Sequence, residues 1–418
     1  MVRIFIISFS SFVLLAPALS SQDAAAAEVG REWIGGLPVH QWTRLTGDWS
    51  GHRTALEELG VEFGGGWTVD WSAAWSGGLR NRATVGSLLD VNLALDLETL
   101  AGLPRTMAFL DAYSIQGRDP SDDVGDMQGF SNIQAPDTDQ LAEAWLETSI
   151  GEWLRIKIGK VDVNSEFSFV EEGGEFLGSP VGISPTVLGA PTYPDPSTSV
   201  NVFVMPGESS YVGFGVYDGA AIDGIRTGRQ GFGGFFEDEQ SDAYFFIGEA
   251  GFGWTGGQSW GSGRAAIGVW HHTGQFARFA GGNDSGTVGA YLVAEQRVWR
   301  EHPESGEDLQ GIGVFCRVGM ADEDVAEVTR DLQIGATWTG LLEHRDDDIA
   351  GLMLSHLILN DDPGAGFGTD ETSLEFFYRV QLTPAISIKP DLQYIMGPGG
   401  DPSVDDALVG ALRVEIVF

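Results

Sequence analysis

Leu89-Asp90-Val91-Asn92-Leu93-Ala94-Leu95-Asp96-Leu97 carries leucine or valine at every odd position and a small or polar residue at every even one. Successive side chains of an extended strand point to opposite faces, so this stretch has one apolar side and one side that bears carboxylates. The alternation returns with Leu154, Ile156 and Ile158 against Arg155 and Lys157. It returns again with Leu374, Phe376, Tyr378, Val380 and Leu382 against Glu375, Arg379 and Gln381. The C-terminal run sets Leu408, Leu412, Val414, Ile416 and Phe418 against Arg413 and Glu415.

Extending this reading along the chain predicts strands at 61–75, 85–98, 105–116, 141–150, 152–161, 199–206, 209–218 and 242–254. The second half adds 263–273, 287–299, 310–320, 330–341, 349–360, 370–383, 385–397 and 406–418. The alternation is weakest in 242–254 and 349–360. One short amphipathic helix is expected at Gly51 to Leu59. The strand number is even, and most segments have the length of about 9–11 residues or a little more that a tilted membrane strand needs. Connections around Gly151, at Pro206-Gly207-Glu208 and at Thr383-Pro384 are short, whereas 117–140, 162–198 and 219–241 are long. Tight turns on one side and long loops on the other are the habit of outer-membrane barrels. The fold expected is therefore all-β, a transmembrane antiparallel β-barrel of about sixteen strands with a short N-terminal helical segment.

The start of the chain supplies the compartment. Arg3 precedes a mostly apolar run from Ile4 to Leu15, and Pro17-Ala18-Leu19-Ser20 and Ala24-Ala25-Ala26-Ala27 offer small-residue cleavage positions. That is the layout of a secretory signal peptide. Residues 1–27 are expected to be removed on export, 28–60 to lie in the periplasm as an N-terminal segment, and 61–418 to form the barrel. No later run of apolar residues is long enough for a transmembrane helix.

Composition narrows the function. The chain has 23 Lys+Arg against 60 Asp+Glu, a net charge of −37. Phosphate backbones would repel so acidic a surface, which argues against nucleic acid as a partner. The lone cysteine, Cys316, excludes an internal disulfide framework and shares the phase of the apolar face with Ile312, Val314 and Val318. Aromatic residues gather towards strand ends, as at Trp67, Trp71 and Trp75 or Trp299 and Trp338, which suits girdles at the membrane boundary. Phe418 ends the chain in phase with the outward face. Catalytic signals are poor. His271 and His272 are strand neighbours that point oppositely and cannot chelate one ion from one face. Gly231 to Gly234 lacks the helix that a phosphate-binding loop requires. No cofactor, metal or enzymatic activity is expected.

Three separated motifs resemble one known family. Leu45-Thr46-Gly47-Asp48-Trp49-Ser50-Gly51-His52-Arg53 is similar to the opening of the carbohydrate-selective porins of the OprB family. So is Gly159-Lys160-Val161-Asp162-Val163-Asn164-Ser165-Glu166-Phe167, and so are Glu371 to Arg379 followed by Pro390 to Ile395. The resemblance implies a sixteen-stranded outer-membrane barrel that passes mono- or oligosaccharides by passive diffusion, in contact with outer-membrane lipid and lipopolysaccharide. It leaves open whether the barrels associate as a homotrimer. The acidity of loops such as Asp119-Pro120-Ser121-Asp122-Asp123 and Glu237-Asp238-Glu239 is a departure from the family pattern.

A sixteen-strand barrel encloses an aqueous channel, so a sugar path needs something that narrows it. The connection 162–198 is the expected inward-folding loop. A neutral sugar asks for fixed hydrogen-bond donors and acceptors, which facing carboxylates and guanidinium groups provide. Alternation places Glu143, Trp145, Glu147, Arg155 and Lys157 on the lumen side of neighbouring strands, with Arg297, Arg379, Asp391 and Arg413 on later ones. The family match adds Lys160, Asp162, Asn164 and Glu166 at the root of the long loop. Trp145 offers a flat face to a sugar ring. For each charge the competing role is a paired pore wall, and for the loop-root residues it is to pin the loop. Two other functions stay in view. One is a general diffusion porin for small solutes. The other, of a different class, is a secreted soluble β-protein that binds or cleaves polysaccharide.

Overall fold

The computed structural model describes residues 39–223, 225, 243–257, 260–303, 309–368 and 370–418. The signal peptide at 1–27, Gly231 to Gly234 and the acidic run Glu237-Asp238-Glu239 lie outside the described residues. A short helix α1 (His52–Glu58) leads into strands β1 (Val61–Ser76), β2 (Ala83–Asp96), β3 (Thr106–Gly117), β4 (Thr138–Ile150) and β5 (Leu154–Val161). They are followed by β6 (Ser197–Gly207), β7 (Ser210–Asp218), β8 (Tyr244–Trp254), β9 (Gly263–Ala277), β10 (Asn283–Arg300) and β11 (Gly311–Ala321). The last five are β12 (Val328–Thr339), β13 (Ile349–Leu359), β14 (Glu371–Thr383), β15 (Ile386–Met396) and β16 (Ala407–Val417).

Each strand pairs with its chain neighbours, and β1 closes the sheet on β16, with Gly66 opposite Val417 and Trp71 opposite Leu412. All pairs are antiparallel, so the closed barrel has no free edge. Every expected strand is present. The largest shifts extend the hairpin of β9 and β10, which runs four residues further on each strand, to Ala277 and from Asn283. The second strand stops at Asp96 because the Asp96 carboxylate accepts from the backbone N–H groups of Glu98 and Thr99 and starts a helical turn, α2 (Leu97–Ala101). The expected helix forms, and its start is fixed by Asp48 in the Leu45–Arg53 motif. The Asp48 carboxylate accepts from the Thr54 amide at 2.9 Å and the Thr54 hydroxyl at 2.7 Å.

The apolar phase faces outward. Ile267, Val269, Leu352 and Phe376 are large apolar residues that are each more than half accessible. A soluble sandwich would hide that face, whereas a barrel in lipid must show it. Trp299 and Trp338 meet edge to face on the outside, 6.1 Å between ring centres, near the strand ends. Trp67, Trp71 and Trp75 stand on the exposed face of the later part of β1. His271 stacks on Phe246 at the outer face while His272 is fully buried inside, as opposite strand neighbours must be.

The loop parity holds for the three long connections but is not general. Connections 77–82, 278–282 and 322–327 are as short as turns on the other rim, and 97–105 and 340–348 are longer than the tight ones. The long connections have a reason of their own, since 118–137 and 162–196 fold into the lumen. Phe167, Val170, Phe176 and Val181 of the second loop pack against Phe203, Phe245, Phe315 and Phe377, which point inward from β6, β8, β11 and β14. Phe176 stands edge-on to Phe377 at 4.9 Å, and Phe167 stacks on Phe203 at 5.1 Å. The interior thus holds an apolar core that simple alternation, apolar out and polar in, does not foresee.

Glycines make room for these rings. A Cβ on Gly213 would stand 2.3 Å from Phe203, one on Gly351 2.2 Å from Phe377 and one on Gly268 2.1 Å from Tyr291. Each glycine is a slot beneath a large side chain on the inner face, which accounts for part of the 59 glycines in the chain.

Candidate functional site

The inner wall and the long loop are joined by charged groups that serve the loop backbone. Backbone groups taken away from water need partners, and a loop inside a barrel cannot find them in its own ladder. Glu249 accepts from Ser168 N–H at 2.9 Å, and Glu295 accepts from Glu172 N–H at 3.0 Å. Glu375 accepts from the N–H groups of Leu177 and Gly178 at 2.6 and 3.0 Å. In the reverse sense, Arg317 donates to the carbonyls of Ser168 and Gly182, each at 2.9 Å, and Lys389 donates to Glu175 O at 2.8 Å.

The residues expected from alternation and from the family match collect in one place, at the root of this loop. Glu166 lies between Arg155 and Lys157, each at 2.5 Å, and Glu147 touches the same two cations at 2.9 and 3.3 Å. Lys157 also stands 3.9 Å from the centre of the Trp145 ring, and Arg155 4.3 Å from that of Phe203. Burial pushes the Glu166 carboxyl up, but Lys157 and Arg155 outweigh it and hold the group below the usual carboxylate range. The Trp145 indole donates to Glu143 at 2.6 Å, and Glu143 also accepts from Asp162 N–H at 3.1 Å. Asp162 accepts from Asn164 N–H, the Thr192 hydroxyl and Tyr193 N–H at 2.7–2.9 Å, so it ties the two ends of the loop together. Asn164 donates to Gly182 O at 2.7 Å.

Lys160 shares the strand parity of Ile156 and Ile158, not of Arg155 and Lys157. Its ammonium is buried against Pro196 O and Asp195 at the loop's return. Glu143, Trp145, Arg155, Lys157 and Glu166 are all buried, bonded among themselves and to the loop.

The later expected residues stand elsewhere on the wall. Arg379 and Lys389 clasp Glu175 of the loop, Lys389 at 2.9 Å. Burial works against the Glu175 charge, yet Lys389 and Arg379 hold its carboxyl down at about 2. Arg297 reaches Glu172 at 3.0 Å. Arg413, the cross-strand neighbour of Lys389, makes a two-pronged pair with Asp70, both contacts at 2.8 Å, and also holds Asn132 of the loop 118–137 at 2.8 Å. Asp391 is buried beside Gln393, which donates to it at 3.1 Å.

Between the two infolded loops and the wall formed by β1–β3 and β14–β16 lies a cavity of about 220 Å³. Asp90, Tyr113, Tyr193, Arg379, Gln381 and Glu415 contribute its polar lining, with Ile133 and Ile386 among its apolar residues. The Tyr113 and Tyr193 rings lie 5.7 Å apart at a tilt. Ser387 holds Glu415 at 2.7 Å, and the Tyr193 hydroxyl donates to Ile133 O at 2.6 Å. Donors, acceptors and flat apolar surface thus converge on a space of small-molecule size, a combination suited to a polyhydroxylated ring.

Of the expected site residues, Arg379 lines this cavity. Sequence reading missed Tyr113, Tyr193, Gln381 and Glu415 as lining groups. Asp90, Gln381 and Glu415 were legible as lumen-facing from their parity, but nothing marked them out among the other lumen-facing residues. Tyr193 lies in the loop, where no periodicity operates.

The carbohydrate-selective porin family named OprB matches residues 80–418 of this chain, a match that begins beyond the Leu45–Arg53 motif. Porin B of Pseudomonas aeruginosa is 24% identical, over 91% of this chain and 92% of its own length. The putative porin QuiX of Acinetobacter baylyi is 23% identical, over 90% and 93% respectively. Among solved structures, the high-pH structure of Pseudomonas putida OprB has a TM-score of 0.79 at 21% identity and covers 91% of this chain and 99% of that one. The low-pH structure of the same protein has a TM-score of 0.61 at 16% identity with the same coverage. At these identities the superpositions bear on the fold alone.

Proposed function

This chain belongs to the OprB family of carbohydrate-selective porins and is an outer-membrane channel for the passive, sugar-preferring diffusion of small carbohydrates, and from that premise we propose how it selects them. Sugars pass along the cavity between β1–β3 and β14–β16. Tyr113 and Tyr193 offer ring faces, Arg379 and Gln381 donate, and Asp90 and Glu415 accept. The single observation that supports this path is the convergence of these groups on one space beside the infolded loop.

The cluster of Glu143, Trp145, Glu147, Arg155, Lys157, Lys160, Asp162, Asn164 and Glu166 acts one step back, by holding the loop 162–196 where it narrows the lumen. Asp391 stands on the inner wall beside Gln393 and shapes the charge around Glu375. Export is by a cleaved signal at 1–27, and assembly as a homotrimer is an expectation that cross-linking in outer-membrane fractions would test.

The path is tested by liposome swelling with glucose, a zwitterionic amino acid of similar size and an anionic sugar acid. Fast entry of glucose in the wild type, with that preference reduced in Tyr113→Ala and Arg379→Ala, supports the path. Equal entry of all three solutes into wild-type vesicles would reduce the function to general diffusion. Preference unchanged in both variants would move the path away from this cavity.

A further inference from the structure

The chain has three lysines, Lys157, Lys160 and Lys389, and each is buried and bonded to the loop 162–196. Lys157 meets Glu166 and Lys160 meets Pro196 O, near the two ends of the loop. Lys389, on β15, meets the middle of the loop and is fully buried on the inner face. It donates to Glu175 O at 2.8 Å and lies 2.9 Å from the Glu175 carboxylate. Its third contact runs to the wall, where the Glu415 carboxylate on β16 lies 3.6 Å from the ammonium. An ammonium has three N–H donors, and here three oxygens surround it, two on the loop and one on the wall.

Both carboxylates bear on the cavity. Glu415 lines it and accepts from Ser387 at 2.7 Å. Glu175 grips Arg379, another lining residue, whereas Lys389 itself does not line the space. The four groups form one chain of contacts, Arg379 to Glu175 to Lys389 to Glu415, with two charges of each sign. Of the neighbouring charges, Arg413 is paired with Asp70, and Asp90 lines the cavity from β2. Glu375 and Asp391 stand further along β14 and β15, away from the cavity lining. Without Lys389, Glu175 keeps Arg379, but Glu415 loses its cation and faces the cavity uncompensated.

We propose that Lys389 is a positioning residue for sugar selection: it holds Glu175 on the loop and Glu415 on the wall at once, and so keeps the path receptive to uncharged sugars over cations. The proposal rests on the sugar path described above. Width and lining groups set selectivity in a pore. Lys389 acts on both without touching the solute, on width through the loop and on the lining charge through Glu415. A cleft with uncompensated charge raises the local concentration and entry rate of the opposite ion, by about tenfold or more at low ionic strength.

The test uses the full-length mature protein in planar bilayers under a gradient of KCl and reads the zero-current potential. Lys389→Met is expected to raise the permeability ratio of K⁺ to Cl⁻ at least about threefold over the wild type, and Lys389→Arg to keep it within about twofold. Adding Glu415→Gln to Lys389→Met is expected to bring the ratio back near the wild-type value, a reversal that a merely loosened loop would not show. A ratio unchanged in Lys389→Met overturns the proposal, as does a raised ratio that Glu415→Gln leaves as high. Where Lys389→Met fails to assemble, the double variant, which loses one charge of each sign, is compared with Glu415→Gln alone. Its ratio is expected at least about threefold above that of the single variant, and equal ratios overturn the proposal. Swelling of wild-type vesicles with glucose and a zwitterionic amino acid keeps the two readings apart. A preference for glucose, with the ratio unchanged in Lys389→Met, leaves the path standing and removes the role of Lys389. No preference in the wild type means that the path itself is wrong, and the proposal falls with it.

Discussion

Two carboxyl groups on the infolded loops show how local surroundings set opposite responses to pH. Glu175 is held at about 2 by Lys389 and Arg379 against the cost of burial. A carboxyl lowered on folding from an ordinary value of about 4.3 contributes stability that is complete above that value and is lost as pH falls through the lower one. The attachment of the long loop by Glu175 should therefore be constant from neutral pH to about 4 and loosen only towards pH 2. Asp126, in the loop 118–137, is pushed up to about 7, first by burial and then by the carboxylate of Glu371. Its contribution is complete at acid pH and is lost as pH rises towards 7, where the carboxyl ionises. Limited proteolysis of that loop should be faster at pH 8 than at pH 5, on the order of tenfold, and Asp126→Asn should flatten the profile. A pH-independent cleavage rate in the wild type would contradict this. At the same scale, Asp70→Ala leaves Arg413 buried with its main counter-ion gone. The expected cost is about 3–5 kcal/mol, read as a lowered urea midpoint of the folded barrel in detergent.

At the scale of elements, the strands follow from period-two alternation, whereas the loop 162–196 follows from its partners. Its few short helical turns do not hold it in place. Its backbone N–H groups donate to wall carboxylates and its carbonyls accept from wall cations, and together with the aromatic core it shares with β6, β8, β11 and β14 these bonds hold it. Glu166→Ala would leave Arg155 and Lys157 to share Glu147, and the loop root should loosen. Single-channel conductance is expected to rise and the preference for glucose over a zwitterion to fall. The glycine slots belong to this scale too. In Gly351→Ala the new methyl would meet the Phe377 ring, at a cost of about 1–3 kcal/mol, and would disturb Phe176 of the loop through Phe377. An unchanged urea midpoint in that variant would show that the ring moves aside without cost.

Over the whole molecule, a closed ring of strands with an apolar exterior forms a hollow, and two of its own loops fold into that hollow. Replacing 169–192 by a short flexible linker should leave a folded, heat-stable barrel whose conductance is several-fold higher and whose sugar preference is gone, since width and lining groups set selectivity. If that deletion kept the preference, the wall alone would carry it.

The sequence by itself determined the number, direction and facing of the strands. A two-residue period is local and survives in the one-dimensional string, as Leu89 to Leu97 and the C-terminal run show. The expectation that 162–198 folds inward, with Arg155, Lys157 and Glu166 at its root, rests on phase and motif, whereas Glu249, Glu295, Arg317 and Lys389, which also bond to that loop, carry no mark in the sequence. Only the tertiary structure shows which of those charges bond to the loop and which face the cavity. Glu175 meets Lys389 and Asp70 meets Arg413 across distances along the chain that no period encodes. The inward aromatics read as exceptions to alternation until the loop that covers them is in place, and the cavity beside Tyr113 and Tyr193 is the space that the folded loops leave empty. A cavity of this kind is set by packing, and packing is a property of surfaces that meet only once the chain has closed on itself.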